Sequence, residues 1–229
     1  HKKKSRLMKG PSSRDTCKRL LNVSRETMLG FDIYLKLLSE WQKKLNLVGL
    51  STLSDPWERH ILDCGQLANF INKKDERVFD IGSGAGLPGI VLGIMGYKNM
   101  VLVESDFKKT VFIIEALRKC NVHAFVENKR VESLDTMFGH TIVSRAFAPI
   151  DKTLFLLCGA ISRKTKIFFL KGRSANKEVK KAESILEAMK KAQESGAGAA
   201  TLDGKLIDAA SVRQAEQIMK QTKLIETMS

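Results

Sequence analysis

Residues 78–89 have the sequence Val-Phe-Asp-Ile-Gly-Ser-Gly-Ala-Gly-Leu-Pro-Gly, and this stretch decides the fold. Its first part is mainly apolar, which predicts a buried strand at Val78–Ile81. The alternate glycines that follow let the backbone turn tightly and lie close to a ligand, where a Cβ would intrude. A helix through about Met95 is expected next, with its N-terminal amides pointing into the same crevice. The stretch therefore predicts a strand, a loop and a helix that together bind a small ligand.

Strand and helix signals alternate on the C-terminal side of this loop. Strands are predicted at Val101–Val103, Val122–Val126, Thr141–Val143 and Lys166–Leu170, and helices at Phe107–Arg118 and around Lys152–Leu157. The alternation indicates a mostly parallel sheet covered by helices on both faces, an α/β fold of Rossmann-like type. Before the loop, apolar residues at spacings of three and four predict a helix from Ser24, and Ser54-Asp55-Pro56 predicts the start of a second. The fold therefore has a helical N-terminal extension.

The glycine loop is compatible with two classes of cofactor. Gly84, Gly86 and Gly89 match the dinucleotide fingerprint, which is a weak signal by itself. Asp80 instead favours S-adenosylmethionine, because a carboxylate just before the first glycine can hold the cationic amino end of that ligand, directly or through water. Glu104 follows the next predicted strand, where a carboxylate can accept both ribose hydroxyls. We favour S-adenosylmethionine, with a dinucleotide and a tight turn that binds nothing as the alternatives.

The formal net charge of +14 is unevenly distributed along the chain. Residues 1–25 contain nine basic residues and one acidic residue, residues 26–180 carry a net +6, and residues 181–229 are neutral. A strongly basic protein suggests a polyanionic partner. The N-terminal arm itself is either a disordered tail, in part a non-native extension before Met8, or an electrostatic tether to nucleic acid.

The cysteines and the hydropathy of the chain exclude several classes of protein. The four cysteines are widely spaced and form no Cys-x-x-Cys pair, which argues against a zinc knuckle or a disulfide framework. No apolar stretch approaches the roughly 20 residues that a membrane helix requires, and no signal-peptide pattern opens the chain. We expect a cytoplasmic, monomeric protein without a metal site or a membrane partner.

Seven motifs occur in an order that identifies a family. They are Trp41-Gln-Lys-Lys-Leu-Asn-Leu47, Arg59-His-Ile-Leu-Asp63, the glycine loop from Asp80 to Ile90, Glu104-Ser105 with Lys108-Lys109, Arg130-Val-Glu132, Ser144-Arg-Ala-Phe-Ala148 and Leu170-Lys-Gly172. Over roughly residues 28–180 this series resembles ribosomal RNA small subunit methyltransferase G, also called glucose-inhibited division protein B. The resemblance implies a Rossmann-like methyltransferase fold and transfer of a methyl group from S-adenosylmethionine to N7 of one guanine in small-subunit (16S) ribosomal RNA.

The candidate site residues fall into two groups. The donor site is expected to involve Asp80, Gly82, Gly84, Gly86, Leu87, Glu104, Val131, Glu132 and Arg145, of which Gly82, Leu87, Val131, Glu132 and Arg145 are implied by the resemblance. The RNA is expected to contact His60, Lys108, Lys109, Arg130, Lys171 and Arg173. No residue is required as a general base, because guanine N7 carries a lone pair and no proton. His60 is expected to act as an RNA-contacting or structural hydrogen-bonding group.

We divide the chain into three segments. Residues 1–23 form the basic arm, residues 24–181 the methyltransferase domain with its N-terminal helices, and residues 182–229 an atypical C-terminal segment. That last segment departs from the family, which normally closes its sheet with a final hairpin. Here a helix, a short hairpin around Asp203-Gly204 and a second helix are expected instead.

Overall fold

The computed structural model describes residues 12–71, 74, 76–134, 140–157, 160–161 and 164–170, and beyond these only 184, 187–188, 201–202, 205–206, 216 and 219. The chain separates into two compact units, His1–Leu170 and Lys171–Ser229. The first contains the glycine loop and every described candidate residue. Lys171 and Arg173, predicted to contact RNA, lie outside the described residues, as does the expected domain boundary at residue 181.

The first unit is built on a parallel sheet. Its strands are β1 (Val78–Ile81), β2 (Met100–Val103), β3 (Phe125–Glu127), β4 (Thr141–Arg145) and β5 (Lys166–Leu170). They lie in the order β3-β2-β1-β4-β5, and every neighbouring pair is parallel. In this order the sheet is extended in one direction from β1 to β3 and in the other from β4 to β5, so the strand order changes direction between β1 and β4. Rossmann-like sheets bind their ligands at this point, beyond the carboxyl ends of the strands. The predicted α/β fold is confirmed.

Helices precede the sheet and alternate with its strands. They are α1 (Ser13–Leu21), α2 (Arg25–Gln42), α3 (Asp63–Gly65), α4 (Gly89–Ile94), α5 (Phe107–Lys119) and α6 (Ile150–Leu157), with short 3₁₀ turns at Leu50–Ser54, Gln66–Asn69 and Val131–Ser133. Ser24 caps α2 as predicted, since its hydroxyl accepts a hydrogen bond of 3.2 Å from the Thr27 amide. Among the described residues, no helix is long and apolar enough to cross a membrane.

Alternate residues of the central strands supply two separate apolar cores. Val78, Met100 and Leu102 face a core formed with α2, α4 and α5. Phe79, Ile81 and other residues of the opposite face pack with Val131 and Leu157. Burial on both faces is what a parallel sheet covered by helices requires. This packing fixes the positions of the strand ends relative to one another.

Two parts of the N-terminal region differ from expectation. Residues 13–21, assigned to a basic arm, form α1, and its Arg14 pairs with both carboxylate oxygens of Asp32 at 2.6 and 3.1 Å. The helix expected after Pro56 is a wide π-helical turn, Trp57–Leu62, which continues into α3. The predicted N-terminal cap is present, because the Asp55 side chain accepts a hydrogen bond of 3.1 Å from the Glu58 amide.

The second unit contains a short antiparallel hairpin. Strands β6 (Thr201–Leu202) and β7 (Lys205–Leu206) pair across residues 203–204, as the Asp203-Gly204 sequence predicts. The few described residues of the expected flanking helices, including 187–188 and 216, are helical. The remainder of both predicted helices lies outside the described residues.

Candidate active site

A cavity of about 570 Å³ opens at the carboxyl ends of β1, β2 and β4. This volume is typical of a site for a small molecule or cofactor. Its walls include Leu47–Gly49, Thr52 and His60 from the N-terminal region, Gly82–Ala85 and Leu87 from the glycine loop, Val103–Ser105 and Lys109, Lys129–Glu132, Arg145–Ala148, Lys152 and Leu156. Seven of the nine predicted donor residues line it, and only Asp80 and Gly86 do not.

The glycine loop presents bare backbone to this cavity. Gly82 and Gly84 have φ of +66° and +57°, a conformation that L side chains rarely adopt. A Cβ on Gly82 would lie 2.2 Å from Cδ2 of Phe147, so that ring covers the glycine directly. A Cβ on Gly84 would meet nothing closer than the Gly82 carbonyl oxygen at 3.8 Å. Gly84 therefore leaves open space in which a ligand can approach the main chain.

Glu104 places its carboxylate at the end of β2 on the cavity wall. The side chain is only 8% exposed. One oxygen, Oε2, accepts a hydrogen bond of 2.8 Å from the Gly84 amide, and Oε1 accepts one of 2.8 Å from the Asp106 amide. Each carboxylate oxygen has a second acceptor position. A rigidly held acid with free acceptor capacity suits the ribose hydroxyls expected at this place.

Asp80 lies beneath the glycine loop, where it supports the loop backbone. It is completely buried, and its Oδ2 accepts a hydrogen bond of 2.9 Å from the Gly89 amide. Burial raises the pKa of this carboxyl to about 7, against the lowering effect of the hydrogen bond it accepts from the Gly89 amide. Direct contact with the amino end of a ligand, one form of the sequence-based expectation, does not fit this position. Contact through water stays a prediction.

Arg145 joins the end of β4 to the π-helical turn. Its guanidinium donates a hydrogen bond of 2.6 Å to the Arg59 carbonyl and one of 3.3 Å to Sγ of Cys64, and it lies 3.7 Å from Oδ2 of Asp63. The side chain is largely buried yet lines the cavity. Arg145 therefore holds the Arg59–Asp63 motif against the sheet. Its expected contact with the donor or the guanine stays a prediction.

His60 forms part of the cavity wall and is almost fully buried. Its Nε2 lies 3.1 Å from the hydroxyl of Thr52, which also lines the cavity. Burial, with smaller contributions from the charges of Arg145 and Arg59, lowers the pKa of the imidazole to about 4. A buried neutral ring fits the expected structural hydrogen-bonding role. It does not offer the exposed surface that RNA contact at this residue would need.

The described cations predicted to bind RNA are divided between two places. Lys109 and Arg130 line the cavity, whereas Lys108 lies in a neighbouring groove. Two lysines in the first turn of α5, where positive charge opposes the helix dipole, would by themselves indicate a phosphate partner. That argument is weakened, because Asp106 caps the helix and accepts hydrogen bonds from the amides of Lys108 and Lys109 at 2.8 and 3.2 Å.

Sequence reasoning missed several residues that shape the site. Lys129 and Lys152 line the cavity, and Tyr34 supports it from the other side. The Tyr34 hydroxyl, fully buried in α2, donates a hydrogen bond of 2.8 Å to the Ala85 carbonyl of the glycine loop. The apolar stripe of α2 predicts that Tyr34 is near the core, but nothing local indicates its partner 51 residues away. Among the described residues, no group of three or more acids, histidines or cysteines could hold a metal ion.

Comparison with known proteins decides which cofactor class applies. The family profile described as rRNA small subunit methyltransferase G matches residues 28–202. The chain belongs to this family. The match to rRNA small subunit methyltransferase G runs past residue 180, where the sequence resemblance was expected to end, and includes β6 of the second unit.

Individual members of the rRNA small subunit methyltransferase G family align over most of their length. The Rhodospirillum rubrum protein is 42% identical over 71% of this chain and 81% of its own length. The Paramagnetospirillum magneticum protein is 41% identical over 69% of this chain and 77% of its own length. The Orientia tsutsugamushi protein is 40% identical over 70% of this chain and 80% of its own length. Among solved structures, a coclaurine N-methyltransferase bound to N-methylheliamine and SAH aligns with a TM-score of 0.43 at 15% identity, over 68% of this chain and 58% of that one.

Membership in the rRNA small subunit methyltransferase G family makes this chain a methyltransferase that uses S-adenosylmethionine, and the dinucleotide alternative no longer applies. The geometry fits this cofactor. Gly84 leaves the loop backbone accessible, Glu104 holds a carboxylate at the end of β2, and the cavity has the volume of a cofactor site.

Proposed function

We propose that this protein transfers a methyl group from S-adenosylmethionine to N7 of one guanine in small-subunit ribosomal RNA. The proposal is carried by one observation: the cavity with the donor-type glycine loop is rimmed by cations. The basic residues that line it are Lys109, Lys129, Arg130 and Lys152, besides the largely buried Arg145, against two acids, Glu104 and Glu132. A cationic rim attracts a polyanionic substrate and positions its phosphates.

The donor is held by residues that already surround the cavity. Glu104 accepts hydrogen bonds from the ribose hydroxyls, and the open main chain at Gly84 lies along the amino-acid part. Val131 and Glu132, on the 3₁₀ turn after β3, lie on the adenine side. These assignments rest on the position of each residue around the cavity together with the family resemblance.

The transfer needs orientation more than proton movement. The bound cofactor supplies an electrophilic sulfonium methyl group, and as the bond from N7 to the methyl carbon forms, the carbon–sulfur bond breaks and its electron pair goes to sulfur, leaving S-adenosylhomocysteine. N7 has no proton to lose, so no general base acts. The task of the chain is to hold N7, the methyl carbon and sulfur in line, which by itself lowers the barrier substantially. His60, whose neutral ring is hydrogen-bonded to the Thr52 hydroxyl, forms part of the cavity wall and is not needed for proton transfer.

Methyl transfer from labelled S-adenosylmethionine to small-subunit RNA that lacks the modification tests this function. Label in the RNA, followed by mapping to N7 of one guanine, is the expected result. Both naked RNA and the small-subunit particle are offered as substrates. Donor binding without methyl transfer to either substrate would contradict the proposal. If the protein still bound the RNA in that case, it would be one that binds RNA without modifying it.

We also propose that the protein acts as a monomer in the cytoplasm. In support, a single copy of the chain supplies the glycine loop, Glu104 and the other described walls of the cavity, so a second copy is not needed to form them. Light scattering during the methylation assay tests the oligomeric state, and a dimer at the assay concentration would contradict it.

A further inference from the structure

A second, smaller depression lies beside the donor cavity, between the C-terminal end of α2 and the first turns of α5. We call it the α2–α5 groove; its lining residues are Glu40, Trp41, Lys44, Leu45, Phe107, Lys108 and Val111, and its volume is about 430 Å³. It differs from the donor cavity in having a mainly apolar floor and no glycine loop. Nothing in the donor-binding function requires it.

The groove exposes an aromatic side chain that the fold leaves without cover. Phe107, the first residue of α5, is 69% exposed, and Val111 one turn later is 38% exposed. The Trp41 ring is held in place by an edge contact with Phe112, with 5.5 Å between the ring centroids. An exposed Phe beside a fixed Trp provides an apolar surface on which a flat ring can stack.

The charges on the rim of the groove select the class of partner. Lys44 and Lys108 are exposed on its two sides, with Glu40 as the acidic member of the lining. Neither lysine forms an ion pair within the part of the chain that the structure describes. Aromatic surface flanked by cations is the combination by which proteins hold single-stranded nucleic acid, with bases on the rings and phosphates at the cations.

The groove and the donor cavity share a border. Ser105 and Lys109 line the cavity, while Phe107 and Lys108 line the groove. Because adjacent Cα atoms are about 3.8 Å apart, the two depressions are separated only by the width of the first turn of α5. The groove is therefore within reach of a nucleotide adjacent to a base placed in the cavity.

We propose that the α2–α5 groove binds a nucleotide of the substrate RNA next to the methylated guanine, with the base stacked on Phe107 and the neighbouring phosphates at Lys44 and Lys108. This inference rests on the proposed function, since it takes RNA as the substrate. It adds a binding site for an unpaired nucleotide, and with it a requirement that the RNA be single-stranded beside its target base.

Substitution of Phe107 tests the stacking. Phe107→Ala should weaken binding of unmodified small-subunit RNA by about tenfold or more, because base stacking on an aromatic side chain contributes strongly per base. Phe107→Tyr keeps the ring and should bind close to the wild type. Phe125→Ala is the matched control, since Phe125 is 59% exposed on β3 and does not line the groove. Affinity for S-adenosylmethionine should be unchanged in all three.

The alternatives give different results in the same assay. Unchanged RNA affinity in Phe107→Ala, while the wild type methylates RNA, overturns the groove and leaves the function intact. Full RNA affinity in Phe107→Leu would also overturn stacking, because leucine keeps the apolar surface but has no ring for a base. That result would instead fit an apolar contact surface, as for a protein partner. Failure of the wild type to bind or methylate small-subunit RNA instead removes the proposed function, and the groove proposal with it.

Trp41 provides a direct optical test. The other tryptophan, Trp57, contacts Phe31 and Arg14 in the N-terminal helices, so a Trp57→Phe background isolates the signal of the groove. Saturating RNA should quench the remaining fluorescence, and Phe107→Ala should reduce this quenching. An unchanged emission spectrum at saturation would contradict the proposal. In parallel, RNA binding by the Lys44→Ala, Lys108→Ala double variant should depend less steeply on salt. The slope of log K against log[salt] should decrease by the amount that about two phosphate contacts contribute.

Discussion

The amide of Gly84 donates a 2.8 Å hydrogen bond to Oε2 of Glu104, which fastens the glycine loop to the end of β2. The same carboxylate accepts the Asp106 amide that opens α5. One acid thus aligns three elements around the cavity, and each of its oxygens keeps a second acceptor position. The ligand site and the loop geometry therefore depend on the same side chain.

Glu104→Gln should weaken binding of S-adenosylmethionine by about tenfold or more. The carboxylate satisfies two amides with two oxygens, whereas an amide side chain offers one acceptor and turns a donor toward the other N–H. Calorimetric titration with S-adenosylmethionine and S-adenosylhomocysteine measures the change. Glu115→Gln, which alters an exposed ion pair with Arg118 on α5, is the control and should bind both ligands normally. Equal affinity in Glu104→Gln would remove the acid from the donor site.

Gly82→Val should abolish donor binding. A Cβ at this position would lie 2.2 Å from the Phe147 ring, and φ of +66° adds about 1–2 kcal/mol of backbone strain for an L residue. Combining Gly82→Ala with Phe147→Ala removes the ring, but the Cβ of residue 147 stays 2.9 Å from the added Cβ and the backbone strain is kept. Chemical unfolding should therefore show that this pair recovers only part of the stability that Gly82→Ala loses. Gly49→Ala is the control for stability only, because Gly49 has extended backbone and a Cβ added there would meet nothing within 4 Å, although the residue itself lines the cavity. Full recovery in the double variant would mean that neither the remaining Cβ contact nor the positive φ carries a cost.

Tyr34→Phe should reduce both stability and donor affinity. Loss of the hydroxyl leaves the buried Ala85 carbonyl without its 2.8 Å donor, a cost of about 1–3 kcal/mol, and frees the glycine loop. Tyr97→Phe is matched to it, because the Tyr97 hydroxyl donates a 2.9 Å hydrogen bond to the Ile71 carbonyl, away from the loop. Chemical unfolding should show comparable losses for the two variants, and titration should show weaker donor binding only for Tyr34→Phe. Identical donor affinities would limit Tyr34 to a structural role.

Two buried groups should give the stability opposite dependences on pH. Burial raises the pKa of Asp80 to about 7, above its unfolded value near 4, so the folded state holds this proton longer and the free energy of unfolding falls as pH rises from about 4 to 7. Burial lowers the pKa of His60 to about 4, below its unfolded value near 6.5. The unfolded state therefore takes up that proton first, and this contribution rises with pH from about 4 to 6.5.

Single substitutions should separate the two contributions. In Asp80→Asn, which keeps an oxygen for the Gly89 amide, only the His60 contribution remains, so the free energy of unfolding should rise from about pH 4 to 6.5. In His60→Gln only the Asp80 contribution remains, so the free energy of unfolding should fall from about pH 4 to 7. Urea unfolding followed by circular dichroism across this range measures both profiles. If both variants reproduce the wild-type profile, neither group titrates as its burial requires.

The order and type of the elements were predictable from the sequence because they depend on local signals. Hydrophobic runs between turn residues located β1 and β5 to the residue, and Ser24 predicted the start of α2. The start of β3 was wrong by three residues, since the strand begins at Phe125 rather than Val122. The apolar side chain of Val122 instead packs against Gly93 of α4, and a run of apolar residues does not distinguish the two uses.

The sequence by itself determined the fold class and the family, and seven of the nine donor residues it predicted line the cavity, because the glycine loop and the strand ends are set by short-range patterns. Only the tertiary structure decided what each residue does there. It buried Asp80 under the loop, placed the Phe147 ring over Gly82, joined Tyr34 to Ala85 and left Phe107 exposed beside Trp41. These relationships join residues from separate elements, and local sequence carries no record of which surfaces the packing of helices on a sheet will cover.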